Sequence, residues 1–142
     1  MYIRYVILKE HRDTRKEMGV FQAFSVLEAS LLERGLKLQD YELEWKSEAL
    51  TWFNQNVKTA SNIANNYPKA TYWFKASAKD CIDRVQMLVL LLEQYGFHTK
   101  RIEADKFDYI LYEDEYQVLA LSKEDVPYKE ARRYEKYRKR RQ

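Results

Sequence analysis

Apolar residues along the first half of the chain recur at helical spacing. Val20, Phe24, Leu27 and Leu31 follow steps of three and four, which is the spacing of one helix face. Gly35 comes just after this run, where a left-handed residue commonly ends a helix. Residues 78–95 form a longer helical run that is apolar on nearly all sides. Such a helix is buried on more than one side, or else its outer face contacts a second copy of the chain.

A further helix is predicted from Asp40, a residue type that commonly caps helix N-termini. With the helix before it, it would form an αα-hairpin. The residues that we expect to face inward are Tyr41, Trp45, Ala49, Trp52 and Phe53. Those that we expect to face water are Glu42, Glu44, Lys46 and Glu48.

Strand-like runs occupy both ends of the chain. Residues 2–8 have apolar residues on both faces, which predicts a central strand. Residues 71–75, 97–103, 109–113 and 116–121 also read as strands, and the last two are joined by Asp114-Glu115 as a glycine-free hairpin. Residues 11–17 form a charged connector, and residues 54–69, with five asparagines, an irregular loop. This order predicts an α+β fold: a mixed or antiparallel sheet of three to five strands with three helices packed on it.

Composition points to one domain in an intracellular setting. The 142 residues suit a single domain at residues 1–122, followed by a helical or flexible tail at residues 123–142. The single Cys81 excludes an internal disulfide, and the longest apolar run, residues 87–92, is far shorter than a membrane span. No cleavable leader is evident at the start. We therefore expect a cytoplasmic protein that does not enter a membrane.

Charge is distributed unevenly along the chain. The formal net charge is +3, but residues 129–142 hold eight basic and two acidic residues, so the rest of the chain is slightly acidic. A basic segment interleaved with tyrosines suits nucleic acid, because arginine binds phosphate and tyrosine stacks on bases. An acidic protein surface is another possible partner, and a merely solubilising tail is the plain alternative. The candidate nucleic-acid-binding residues are Arg132, Arg133, Lys136, Arg138, Lys139, Arg140 and Arg141.

Two aromatic pairs and one acidic cluster are the other candidate sites. Trp52-Phe53 and Trp73-Phe74-Lys75 would form a base-stacking surface if exposed, although core packing is the simpler interpretation. Glu113-Asp114-Glu115 could bind a divalent cation or serve acid–base chemistry, or simply form a solvated turn. The candidate binding surface is Trp52, Trp73, Lys75, Tyr112, Glu113 and Glu115.

Other chemistry has little support in the sequence. His11, His98 and Cys81 have no metal-ligand spacing, so no metal site is predicted. No glycine-rich phosphate loop is present, and no cofactor is expected. Cys81 falls in the first turn of a predicted helix, where a thiol can be activated, but a buried core residue is the simpler interpretation. No residue is assigned as catalytic.

Several short motifs together resemble those of a group of small bacterial proteins of unassigned function. They are residues 19–23 (GVFQA), Trp52-Phe53-Asn54, Trp73-Phe74-Lys75 with Ser77-Ala78, and the YEDE-x-Q-V stretch at residues 112–118 with Ala120. The similarity spans roughly residues 2–121. It implies a bacterial cytoplasmic protein and no particular activity. The basic tail lies outside the shared pattern, and the asparagine-rich loop is longer than the pattern suggests.

Three functions remain open at the level of sequence. The first is a non-catalytic binding or adaptor protein that acts through protein contacts, with a homo-oligomer formed through the helix at residues 78–95. The second is a nucleic-acid-binding protein that uses the basic tail. The third is a metal-dependent enzyme built on Glu113, Asp114 and Glu115.

Overall fold

The protein is a single α+β domain in which three main helices pack on a curled antiparallel sheet, as the sequence predicts. The computed structural model describes residues 1–10 and 17–126. Within these residues the sheet has six strands and closes about half of a barrel. The strands are β1 (Tyr2–Glu10), β2 (Glu17–Gly19), β3 (Thr71–Lys75), β4 (Thr99–Ala104), β5 (Tyr109–Glu113) and β6 (Gln117–Leu121).

Strand β1 is central, as its two apolar faces predict. Strand β4 pairs along one edge of β1, from residue 2 to residue 7. Strands β3 and β2 share the opposite edge, β3 at residues 2–3 and β2 between residues 6 and 10. Beyond β3 the sheet continues through β6 to β5, and every pairing is antiparallel. The short strand β2 was not predicted, because its three residues, Glu17, Met18 and Gly19, are too few to show a strand pattern.

The helices are α1 (Val20–Glu33), α2 (Asp40–Asn56), the single-turn α3 (Ser61–Ala64) and α4 (Lys79–Gln94). Helix α1 buries Val20, Phe24, Leu27 and Leu31, as predicted. Gly35 and Gly96 follow α1 and α4 with φ of 70° and 87°, the left-handed conformation that glycine adopts without strain. None of the helices in the described residues has the length and apolar character needed to cross a membrane.

The core forms between the helices and one face of the sheet. Helix α4 contributes most to it, with seven buried residues that include Leu88 and Leu92. It packs against α1 and α2 and joins the cluster that contains Ile3 and Ile7 of β1. Its apolar circumference is therefore largely covered within the chain, and Leu90 is the large aliphatic residue of α4 that stays exposed. Of the two explanations for this helix, the structure supports burial on several sides.

The predicted inward face of α2 is confirmed for Ala49 and Phe53 but wrong in the first two turns of the helix. Glu42, expected in water, is buried together with Ala49 and Phe53, whereas Tyr41 and Trp45, expected inside, are exposed. The N-cap is Gln39 rather than Asp40, and its backbone N–H donates to Glu42 Oε1 at 2.9 Å. The helix also begins near the predicted point but ends later, at Asn56, so it takes in the start of the predicted irregular loop.

The asparagine-rich loop is more ordered than its composition predicts. After α2 it contains α3, and the N–H of Ala60 donates to the hydroxyl of Tyr72 at 3.0 Å. After β6 the chain makes a 3₁₀ turn at Lys123–Asp125. The basic residues at 129–142 and most of the connector at 11–17 lie outside the described residues.

Candidate functional site

Strand β3 has one face toward the helices and one face away from them. Because side chains alternate along a strand, Tyr72 and Phe74 share the helix side, while Thr71, Trp73 and Lys75 share the other side. Register supports this division, since Trp73 pairs with Val118 and Phe74 pairs with Gln117 of β6. The aromatic pair Trp73-Phe74 is thus split between the two faces, and only its tryptophan lies on the face away from the helices.

A groove runs along the face of the sheet that the helices leave uncovered, and we refer to it as the open-face groove. It encloses about 350 Å³, and its lining includes Arg4, Lys69, Trp73, Lys106, Phe107 and Asp125. Phe107, from the loop between β4 and β5, bridges two other rings: its centroid lies 5.0 Å from Tyr2 and 5.2 Å from Trp73. The indole N–H of Trp73 donates to Thr71 Oγ1 at 2.9 Å, which orients the ring. Three partly buried aromatic side chains therefore form a connected row.

Four cationic and three anionic side chains line the open-face groove or the pocket that adjoins it beside Tyr2. The cations are Arg4, Lys69, Lys75 and Lys106, and the anions are Asp108, Glu113 and Asp125. The anions are engaged locally. Glu113 lies 3.0 Å from Lys75 Nζ, Asp125 Oδ1 lies 3.7 Å from Lys69 Nζ, and Asp108 accepts the Lys123 N–H at 2.8 Å. Two of the four cations are therefore paired with anions, and the excess of cations over anions is a single charge.

Trp52 does not join this surface. It packs on the helix side, with its centroid 5.4 Å from Phe53 and 6.3 Å from Tyr116. The Arg84 guanidinium carbon lies 4.1 Å from the centroid of the Trp52 ring, within cation–π range. Of the two predicted aromatic pairs, only Trp73 therefore contributes to the open-face groove, and Trp52 serves packing.

The short aromatic motifs noted in the sequence meet in space. Phe53 and Phe74 lie 5.9 Å apart, and the Lys75 N–H donates to the carbonyl of Tyr116 at 2.8 Å. Phe21, from the first of these motifs, contacts Phe53 edge-on at 5.4 Å. Residues separated by up to about a hundred positions are thus assembled around the start of β6.

The acidic cluster acts as a turn. Asp114 Oδ1 accepts the N–H groups of Tyr116 and Gln117 at 2.8 and 3.0 Å, and its Oδ2 accepts the Tyr112 hydroxyl at 2.8 Å. Partial burial opposes ionisation of Asp114, but these donors outweigh it and hold the pKa of its carboxyl below the ordinary value. The same contact with Asp114 raises the pKa of Tyr112. The aspartate side chain supplies the hydrogen bonds of the turn, which explains how the hairpin forms without glycine.

Catalytic chemistry gains no support from these side chains. Within residues 1–10 and 17–126, no group of three or more His, Cys, Asp or Glu side chains is placed to hold a metal ion. Glu115 is exposed, and Glu113 is paired with Lys75. Cys81 is fully buried, and this burial, more than the nearby Asp114 and Asp80, raises the pKa of its thiol to about 11. A thiol in that state is an inert core residue.

Sequence reasoning missed Arg4, Lys69, Lys106, Tyr2 and Phe107 as surface candidates. Alternation within β1 gave a usable signal, since it places Tyr2 and Arg4 on the face opposite to Ile3 and Tyr5. No comparable signal exists for Lys69 or Phe107, which lie in connections that only the curl of the sheet brings to the groove. Comparisons of the chain with models of protein families, with curated proteins and with solved structures found no match.

Proposed function

We propose that the protein is a non-catalytic binding protein that holds single-stranded nucleic acid in the open-face groove. The observation that carries this proposal is the row formed by Tyr2, Phe107 and Trp73 on a sheet face beside cationic side chains. Aromatic rings on an exposed sheet face stack on unpaired bases, and such sheets commonly take two or three bases. Stacking tolerates any base, so the proposed binding is largely independent of sequence.

The basic C-terminal residues are proposed to supply the phosphate contacts. In sequence they begin four positions after Asp125, which lines the groove. The excess of six positive charges at residues 129–142 contrasts with the small cationic excess of the groove itself. If binding neutralises about six phosphates of a single strand, raising the salt concentration from 50 to 200 mM should weaken it by roughly two to three orders of magnitude.

The first experiment measures binding of the full-length chain to labelled oligothymidylate by fluorescence anisotropy. We expect Phe107→Ala to weaken binding about tenfold, because stacking on one base contributes roughly 1–3 kcal/mol. Trp45→Ala is the matched control, since Trp45 is an exposed aromatic residue on the helical side of the molecule. Equal affinities for the native chain and the Phe107→Ala variant would exclude the groove as the binding site.

A second experiment examines the basic stretch. Replacement of Arg138, Lys139, Arg140 and Arg141 by alanine should reduce the slope of log affinity against log salt by about 3. The control replaces Arg34 and Lys37, which lie on the helical side, and should leave the slope unchanged. An unaltered slope in the first variant would remove these residues from the proposed interface.

Protein binding is the second candidate function, and it is supported by exposed apolar residues on the helical side. Tyr41 and Trp45 stack edge-on at 5.6 Å on the surface of α2, and Trp45 is 40% exposed. Leu32 and Leu36 at the end of α1 are also exposed. A homo-oligomer formed through this surface would dissociate in the variant Trp45→Asp, as measured by light scattering. A monomeric native chain at the highest accessible concentration would contradict the oligomer.

The proposed function includes a cellular location and excludes the metal-dependent enzyme considered from the sequence. A cytoplasmic location in a bacterium agrees with the single cysteine, which is free and buried, and with the resemblance described above. A metal-dependent enzyme built on Glu113, Asp114 and Glu115 is not favoured, because Asp114 is committed to the turn and Glu113 to Lys75.

A further inference from the structure

A second pocket lies on the helix side of the sheet, behind the open-face groove. It encloses about 290 Å³ between the start of α1, the end of α2 and strand β3, and we refer to it as the helix-side pocket. Its lining is mainly apolar, and it includes Phe21, Leu50, Phe53, Tyr72, Phe74 and Gln117. The volume lies at the lower end of the range for small-molecule sites, so it suits a compound of one or two fused rings.

Three phenylalanine rings form the walls of this pocket. Phe53 contacts Phe21 edge-on, with interplanar angle 85°, and lies tilted by 33° to Phe74 at 5.9 Å. Phe53 is buried in the core, whereas Phe21 is 43% exposed and forms part of the entrance. Walls of this kind favour a planar aromatic ligand, which can contact ring faces and edges at the same time.

Gln117 provides a hydrogen-bond acceptor inside these walls. It is only 3% exposed, and its side-chain N–H₂ donates to the Lys58 carbonyl at 2.6 Å and to Asp114 Oδ2 at 3.4 Å. These bonds fix the amide, and its Oε1 accepts no hydrogen bond from residues 1–10 or 17–126. Every fully buried side-chain oxygen of the described residues has a partner, so Oε1 is not fully buried, and we infer that it opens toward the pocket that Gln117 lines.

Tyr72 provides a donor on the same side of the sheet. Its hydroxyl oxygen accepts the Ala60 N–H at 3.0 Å, which leaves the hydroxyl proton available. Burial raises the pKa of Tyr72, so this proton is retained at neutral pH. Strand alternation and the pairing of Phe74 with Gln117 place Tyr72 diagonally across from Gln117, within reach of one small ligand.

We propose that the helix-side pocket binds a small planar heteroaromatic compound that carries one ring N–H and one carbonyl oxygen. The ligand N–H donates to Gln117 Oε1, the carbonyl accepts from the Tyr72 hydroxyl, and the ring packs between Phe21, Phe53 and Phe74. An acceptor left buried and unpaired discriminates strongly against ligands that lack a donor. This site lies on the opposite face of the sheet from the open-face groove. Ligand binding here can therefore be tested independently of the proposed nucleic-acid binding.

The probe is carbostyril, a fused benzene–pyridone bicycle with one N–H and one carbonyl. Titrated into the full-length ¹⁵N-labelled chain, it should shift the backbone signals of residues 57–60 and the side-chain amide signals of Gln117. Its N-methyl derivative has the same rings and carbonyl but no donor, and it should bind at least about tenfold more weakly, because it leaves Gln117 Oε1 unpaired. Shifts centred on another part of the chain, or equal affinities for the two compounds, would overturn the proposal.

Two variants separate the ring walls from the polar groups. Phe21→Ala, at an exposed position, should weaken carbostyril about tenfold, while Leu90→Ala, at an exposed position of α4, should leave its affinity unchanged. Tyr72→Phe should weaken carbostyril about threefold to tenfold through loss of one hydrogen bond. Unchanged affinity in both Phe21→Ala and Tyr72→Phe, or the absence of binding at millimolar probe, would overturn the assignment.

Discussion

The hydroxyl of Tyr95, at the end of α4, donates to the carboxylate of Glu42, which is buried under α2. The same carboxylate oxygen accepts the Gln39 N–H at the start of α2. One side chain thus caps its own helix and ties it to α4. Because Glu42 must face inward to do both, α2 is rotated so that Tyr41 and Trp45 lie at the surface.

Glu42→Leu should therefore destabilise the fold although it makes the core more apolar. It removes the cap and leaves the Tyr95 hydroxyl without its acceptor, so we expect the free energy of unfolding to fall by about 2 kcal/mol. Glu44→Leu, at an exposed position of the same helix, is the control and should change it by less than about 0.5 kcal/mol. Urea denaturation of both variants tests this, and equal stability of the two would contradict the role assigned to Glu42.

Stability at alkaline pH should depend on Tyr95. The hydrogen bond to Glu42, with a smaller contribution from burial, raises the pKa of Tyr95 from 10.0 to about 12. The folded chain therefore retains the proton while the unfolded chain loses it, so this contribution is complete below pH 10.0 and is lost as pH rises toward about 12. Tyr95→Phe should show a smaller decline in denaturation midpoint across this interval. A decline identical to that of the native chain would show that Tyr95 does not contribute.

At acid pH, the group whose titration should affect stability is Asp114. Its pKa is held below the ordinary 3.8, so its contribution to stability is present above that pH and is lost as pH falls through its folded-state pKa. Asp114→Ala should lower the free energy of unfolding by about 2 kcal/mol at neutral pH, because several charge-assisted hydrogen bonds of the hairpin are lost. Glu115→Ala, at the adjacent exposed position, is the matched control. Similar losses in the two variants would contradict the turn-forming role of Asp114.

Cys81 should react slowly in the folded protein. The thiol is buried, and this burial raises its pKa to about 11. At neutral pH the thiol is therefore shielded from the reagent, and very little of it is ionised. Alkylation by iodoacetamide should be at least about a hundredfold slower in buffer than in denaturant. Ser77→Cys in a Cys81→Ala background places a thiol at an exposed nearby position and should react rapidly. Rapid alkylation of native Cys81 would contradict the buried position of this thiol.

Local patterns predicted most elements, because helix and strand periodicities are properties of neighbouring residues. The face of α2 was different, since its sequence supports two stripes. Both contain Ala49 and Phe53, but the first also contains Glu42 and Lys46, and the second also contains Tyr41, Trp45 and Trp52. Both match helical spacing, and hydrophobicity alone favours the second stripe. The first is the buried one, because Glu42 finds partners in Gln39 and Tyr95 that lie outside the helix itself.

The sequence by itself determined the kinds of elements, the central place of β1, the Asp114 hairpin and the charge contrast between the body and residues 129–142. These depend on periodicity, turn chemistry and composition, which act over a few residues. Only the tertiary structure decided which aromatic residues share a surface. Strand alternation sends Trp73 to the open-face groove and Phe74 to the helix-side pocket, the pairing of β3 with β6 brings Gln117 to Phe74, and the curl of the sheet brings Phe107 to Trp73. Such contacts join residues tens of positions apart, and no local pattern specifies them.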